Sequence, residues 1–263
     1  AENLTLNADG ANNDVIIQSN GSTKVTVDGQ NSRLGIGTTA PDTELHVHGT
    51  GTLLSSDSYF VAQIQTDRND NGSSDDAILQ FVNGSGKTVK GEIRWDESSN
   101  TFELGHGDNA NHIVIDSTGA VTMPAQPAFL VNAAAQNNIA VNADVGITFS
   151  TERFDQNSDF NPSNYTFTAP VTGKYLLTVQ ILLAPFPING NYIDIVLRTS
   201  NRNTEFLIDP RSYDQSPAYH TLGGSFLVDM DAGDTSYVQF HQSAGDATTD
   251  ISNVSYFSGY LAC

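Results

Sequence analysis

Residues 165–184 read Tyr-Thr-Phe-Thr-Ala-Pro-Val-Thr-Gly-Lys-Tyr-Leu-Leu-Thr-Val-Gln-Ile-Leu-Leu-Ala. Tyr165 and Phe167 alternate with period two, and so do Tyr175, Leu177, Val179 and Ile181. That period puts each set on one face of a sheet. The surrounding residues 128–263 hold most of the aromatics and the longest apolar strand, Tyr175–Ala184. Roughly eight to ten such strands in this length fit a jelly-roll sandwich. No window shows helical periodicity, and Gly, Asn, Asp and Ser clusters punctuate the whole chain as turn formers. The fold class read from these patterns is all-β.

Towards the N-terminus the strands shorten. Leu4-Thr5-Leu6, Val15-Ile16-Ile17 and Val25-Thr26-Val27 are separated by Asp9-Gly10 and Asn20-Gly21, and Asp28-Gly29 follows the last of them, all hairpin-forming pairs. Strands this short do not bury a face alone; they persist when three copies share an axial core, or when successive turns stack. An internal echo follows. Val25-Thr26-Val27-Asp28 leads through a Gly turn to Leu34-Gly35-Ile36-Gly37 and Pro41, and Ile113-Val114-Ile115-Asp116 leads through Gly119 to Val121-Thr122-Met123 and Pro124. Between these copies, Tyr59–Gln65, Ala77–Val82, Thr88–Trp95 and Thr101–Leu104 are strand candidates. The expected organisation is a trimeric β stalk or collar over 1–50, a small antiparallel β domain over 51–126 with a second collar element and linker, and a jelly-roll tip over 127–263. Thr122-Met123-Pro124-Ala125-Gln126-Pro127 in that region is expected to be a semi-rigid extended linker without a strong hydrogen-bond pattern.

The tip resembles the C1q-like domain, a jelly roll shared with tumour necrosis factor. Phe149, Asp155, Phe160, Phe167, Gly173 and Tyr175 follow that family's spaced signature, while Leu177 and Val179 stand where it usually has aromatics. Gly233-Asp234 resembles its turn before the penultimate core strand, and Phe257-Ser258-Gly259-Tyr260-Leu261 its closing strand. The resemblance implies that the aromatics fill the core, that Phe257 and Tyr260 lie on a strand near a threefold axis, and that the chain is a homotrimer. Gly173 and Gly233 are expected in turns of positive φ. The first half resembles tailed-bacteriophage tail fibres and related bacterial surface fibres at Leu34-Gly35-Ile36-Gly37-Thr38-Thr39-Ala40-Pro41 with Leu45-His46-Val47, and at Ile115-Asp116-Ser117-Thr118-Gly119-Ala120-Val121. Animal C1q-like proteins usually carry a Gly-x-y stalk, and this chain has none, which favours the fibre setting.

Thirty acidic residues against 11 basic give a formal charge of −19. Such a surface repels phosphate backbones and argues against nucleic acid as a partner. No stretch approaches 18 apolar residues, so no helical membrane insertion is expected. The single cysteine, Cys263, makes no intrachain disulfide. The start, Ala1-Glu2-Asn3-Leu4, has neither a basic region nor an apolar core, as in a processed chain or a fragment.

Gly-x-Ser-x-Gly, His-Glu-x-x-His and Gly-rich phosphate loops are missing, so an enzyme is not expected. Paired carboxylates of the kind glycosidases use leave a glycan-cleaving fibre as an alternative. Asp67-x-Asn69-x-Asn71-Gly72-x-x-Asp75 has the oxygen spacing of a short calcium loop, though Ile78 occupies the position an EF-hand gives to Glu; an ordinary solvated turn has the same composition. His46 and His48, two apart on a strand, would supply six imidazoles around a threefold axis, or else His46 belongs to the collar and His48 is exposed. Phe186, Tyr213 and Tyr219 lie outside predicted strands as candidate receptor-binding aromatics, with packing on a neighbouring subunit as the other reading. The expected function is a homotrimeric, extracellular virion fibre protein. It would join other virion tail or fibre proteins and attach to a host cell-surface glycan or protein. A non-viral bacterial surface adhesin with the same head is the alternative.

Overall fold

The computed structural model describes residues 6, 8, 13–48, 76–83, 88–107 and 109–263. Strand candidates Leu4-Thr5-Leu6 and Tyr59–Gln65, and the loop Asp67–Asp75, lie wholly or largely outside these residues. The described chain is all-β, with one short 3-10 turn at Pro210–Ser212. It divides into two compact units, Ala1–Gln63 and Ile64–Cys263.

The first unit is a four-stranded sheet of β1 (Val15–Ser19), β2 (Ser22–Asp28), β3 (Arg33–Ile36) and β4 (Leu45–Val47), in that order. Register aligns Val15, Val27, Leu34 and Leu45 in one row and Ile17, Val25, Ile36 and Val47 in another. Alternation puts both rows on the same face, which is wholly apolar and largely open. The other face carries the Thr26–Gly35 row, and the loop Thr38–Pro41 folds over it. Thr26 Oγ1 donates to Thr38 O at 3.0 Å, and Arg33 donates to Pro41 O at 2.9 Å. A Cβ on Gly35 would stand 2.9 Å from Thr38 O, so the backbone approach requires glycine there.

The second unit begins with a five-stranded meander of β5 (Ala77–Asn83), β6 (Thr88–Asp96), β7 (Thr101–His106), β8 (Asn109–Ile115) and β9 (Val121–Thr122). The second echo copy therefore completes this sheet as its β8–β9 hairpin. The two copies share local chemistry. Asp28 accepts from the N–H groups of Gln30 and Asn31, and Asp116 from those of Thr118 and Ala120. The Asn31 side-chain amide also donates to Asp28 and the Thr118 hydroxyl to Asp116, and these side-chain bonds, with the backbone ones, hold both carboxyls below the usual range.

The segment 123–127 is fastened to the jelly roll by hydrogen bonds, which the semi-rigid spacer expected there did not include. Gln156 Nε2 donates to Met123 O and Gln126 O, Asn157 to Ala125 O, and Gln126 to Leu261 O, at 2.6–2.9 Å. Gln156 and Asn157 lie 30 or more positions downstream, and the acceptor of Gln126 lies 135 positions away, so nothing local to the segment signals these bonds.

The jelly roll packs two sheets. The first has the order β12 (Thr151–Asp155), β10 (Ala128–Asn132), β20 (Tyr256–Leu261), β15 (Gly173–Leu183), β18 (His220–Met230). The second has the order β13 (Phe160–Asn161), β14 (Thr166–Thr168), β19 (Thr235–Ser243), β16 (Tyr192–Thr199), β17 (Asn203–Ile208), with β11 (Asp144–Gly146) paired to β19. Phe149, Phe160, Phe167, Tyr175 and Phe257 are all buried between them, as read from their spacing. Phe129, which the spacing did not single out, is the hub. Its ring lies 4.7 Å from Phe167, 5.0 Å from Phe257 and 5.5 Å from Phe160. Asp155 accepts from the N–H groups of Asp159 and Phe160 and so closes the turn into the core. The Tyr175 hydroxyl donates to Val171 O at 2.7 Å.

Gly233 has φ +92°, as its turn demands. Gly173 does not have positive φ; it opens β15, where a Cβ would meet Leu261 at 2.6 Å and Cys263 O at 2.8 Å. Crowding by the closing strand, not backbone handedness, fixes glycine at 173.

Candidate binding surfaces

The first jelly-roll sheet is apolar on both sides. Its inward residues are those of the core. Its outward residues include Leu130 on β10, Phe154 on β12, Leu176 on β15, Leu227 on β18 and Tyr260 on β20. Register places Phe154 opposite Leu130, Tyr260 opposite Leu176 and Leu176 opposite Leu227; Leu130 in turn lies opposite Ser258, two residues from Tyr260 on β20, so all five share one face of the sheet. Phe154, Tyr260 and Leu227 are exposed, the last at 63%. Tyr260 and Phe257 thus point to opposite sides of one strand. Further along, the face turns polar, with Thr178 hydrogen-bonded to Ser225 at 2.7 Å.

The aromatics read as receptor contacts divide. Phe186 is fully buried, which corrects its reading as an exposed aromatic. Its ring stands 4.5 Å from His220 and 5.4 Å from Tyr213, and its N–H donates to Pro217 O, so the 209–219 loop folds over it. Burial within one chain also leaves it no part in packing on a neighbouring subunit. Tyr213 is half-buried, with its hydroxyl 3.4 Å from His220 Nδ1. Desolvation in this aromatic cluster pushes the His220 imidazole below its usual value. Tyr219 alone projects, 71% exposed.

The model of the C1q domain matches residues 128–262, slightly more than half of the chain. The chain belongs to the C1q domain family. No curated protein matches the sequence. Similar solved structures include the globular domain of zebrafish complement 1qA (17% identity, TM-score 0.40, 52% of this chain and 98% of that one). Murine APRIL at pH 8.5 is similar over 52% and 98% of the two chains, with 12% identity and TM-score 0.38. The Eiger TNF from S. frugiperda has 15% identity and TM-score 0.40 over 52% and 93%. C1q domains are typically non-enzymatic binding modules, and no enzyme family is indicated.

The second sheet of the C1q domain carries a polar cluster outside. Asp194 on β16 lies between His241 on β19 and Leu207 on β17. It is 7% exposed, and its Oδ1 is buried without a hydrogen-bond partner. Burial, then the Glu205 carboxylate, push the Asp194 carboxyl up to about 6, against the pull of His241 and Arg198. Asp144 on β11 bridges His241 Nδ1 at 2.8 Å and Arg198 at 3.2 Å, and Tyr192 stacks on His241. Sequence reading missed this cluster because its members come from four strands, β11, β16, β17 and β19, which only pairing brings together.

The histidine pair lies outside the C1q domain, in the first unit. His46 Nδ1 is 3.0 Å from Asp42 Oδ1 in the loop before β4, and His48 is exposed. Both belong to the Thr26–Gly35 side of their sheet, opposite the apolar face. An axis lined by Leu45 and Val47 would therefore turn the imidazoles outward. Among the described residues no three His, Cys, Asp or Glu side chains gather to hold a metal. The Asp67, Asn69, Asn71 and Asp75 loop lies outside those residues.

Proposed function

We propose that the chain is a homotrimeric fibre segment of a virion appendage, joined to other tail or fibre proteins and bearing a C1q-domain tip that attaches to a host cell-surface glycan or protein. The outward patch of Leu130, Phe154, Leu176, Leu227 and Tyr260 carries the reading, because apolar side chains of this size on a sheet face are expected to be covered. C1q domains typically form homotrimers, and the patch includes the closing strand expected near the axis. The open apolar face of the β1–β4 sheet supports the same association along the stalk. At the loop end Tyr219 is the aromatic left free to stack on a sugar or anchor a protein.

Sedimentation and multi-angle light scattering are expected to report three times the chain mass; a monomer at micromolar concentration overturns the reading. Antibody against the chain is expected to decorate an appendage of purified phage particles in negative-stain micrographs. Decoration of bacterial cells alone would assign the chain to a surface adhesin instead.

A further inference from the structure

The meander β5–β9 has two unlike faces. One carries Arg94, which pairs with Glu103 and lies 3.5 Å from Asp96, and Gln80, which donates to Glu92 at 3.2 Å. The other is apolar. Register sets Trp95, Phe102, Ile115 and Val121 in one row and Leu79, Ile93, Leu104 and Ile113 in the next. These two rows contain no charged side chain. Trp95 is 42% exposed, and Leu79, Phe102 and Val121 are exposed as well. A single sheet layer cannot dry such a face by itself; a second layer is required.

We propose that this face is a second self-association surface, covered by the same face of two other copies of the chain around a threefold axis. The inference rests on the trimer reading above and extends it to residues outside the C1q domain. Three observations select copies of the chain over a foreign partner. A face meeting its own image must not set like charges together, and these rows carry none although the chain holds −19. The sheet is joined to the C1q domain by the fastened segment 123–127, so head association brings three sheets within a short tether of one another. Such tethers give effective concentrations in the millimolar range, at which weak apolar contacts form. Finally, the polar network on the reverse face is satisfied within one chain and asks for no partner.

Trp95 is the single tryptophan of the chain and therefore reports on this face alone. In the full-length protein its emission is expected to be blue-shifted, and its acrylamide quenching constant several-fold below that of the urea-unfolded chain. Ile93→Asp, which puts a carboxylate at the centre of the face in every copy, is expected to restore quenching several-fold; shielding that persists in that variant overturns the inference. Light scattering on the same samples separates the failures. A trimer whose wild-type Trp95 is quenched as in the unfolded chain overturns this inference and leaves the trimeric head standing. A monomer overturns both, whatever the state of Trp95. Where the variant fails to fold, the wild-type measurement decides.

Discussion

Asp194 sits near the middle of a sheet face, nearly buried, with Oδ1 unpaired and Glu205 and Asp144 adding negative potential. Its carboxyl is raised to about 6 from an ordinary 3.8, so the folded state holds this proton more tightly than the unfolded one. The stabilisation this provides is complete below about pH 4, declines as pH rises through 6 and is gone above about 7. The loss is of the order of 1–3 kcal/mol. Asp194→Asn is therefore expected to be more stable than wild type at pH 7.5, with the gap narrowing as pH falls and closing below about pH 4, in urea melts at one fixed chain concentration. Matching melts at pH 7.5 would mean that the carboxylate is solvated after all. Neither Asp194 nor Phe186 was legible in the sequence. Phe186 stands in Pro185-Phe186-Pro187-Ile188-Asn189-Gly190, whose composition is that of a surface loop; its burial comes from Tyr213 and His220, more than 25 positions away. Phe167 and Tyr175 were legible from strand alternation, whereas Phe149, Phe160 and Phe257 were legible only through a spacing that resembles that of C1q-like domains.

Among the elements, the segment 123–127 departs furthest from its composition. Two prolines promised a spacer, yet its carbonyls are taken by Gln156 and Asn157 from across a turn. Removing both donors in Gln156→Ala with Asn157→Ala should leave the C1q domain folded, since neither side chain enters its core. Each lost hydrogen bond costs about 1 kcal/mol. The expected readout is faster proteolysis and amide exchange confined to 121–128; unchanged protection there would show that packing, not these amides, holds the segment. The echo between 25–41 and 113–124 teaches the same lesson. Its Asp-closed turns were readable because they are local. The sheet each copy would join was not, because pairing depends on strands elsewhere: β3 goes on to pair in parallel with β4, while β9 ends its meander as an edge.

For the whole molecule, charge and apolar surface pull in opposite directions. Three copies at −19 carry −57, which opposes the assembly that the open sheet faces favour. If the Asp67–Asp75 loop takes calcium, replacing sodium with calcium at constant ionic strength will raise the melting temperature, by the equivalent of about 2.7 kcal/mol at a hundredfold excess over Kd. Asp67→Ala with Asp75→Ala then abolishes the difference. An unchanged temperature leaves screening as the sole action of salt. The jelly roll was legible as a whole because its longest strand, β15, alternates over eleven residues; its outward patch was not, since Leu130, Phe154, Leu176, Leu227 and Tyr260 come from five strands and only pairing brings those strands together. The jelly roll also opens and closes at one end: Leu261 N–H donates to Pro127 O, and Lys174 N–H to Cys263 O. For anyone wishing to display a foreign peptide on this scaffold, that geometry sets the grafting site. A tag appended after Cys263 would emerge beside Pro127, at the crowded base, whereas one spliced into the turn around Gly245 would ride at the opposite pole, beside the 184–191 loop.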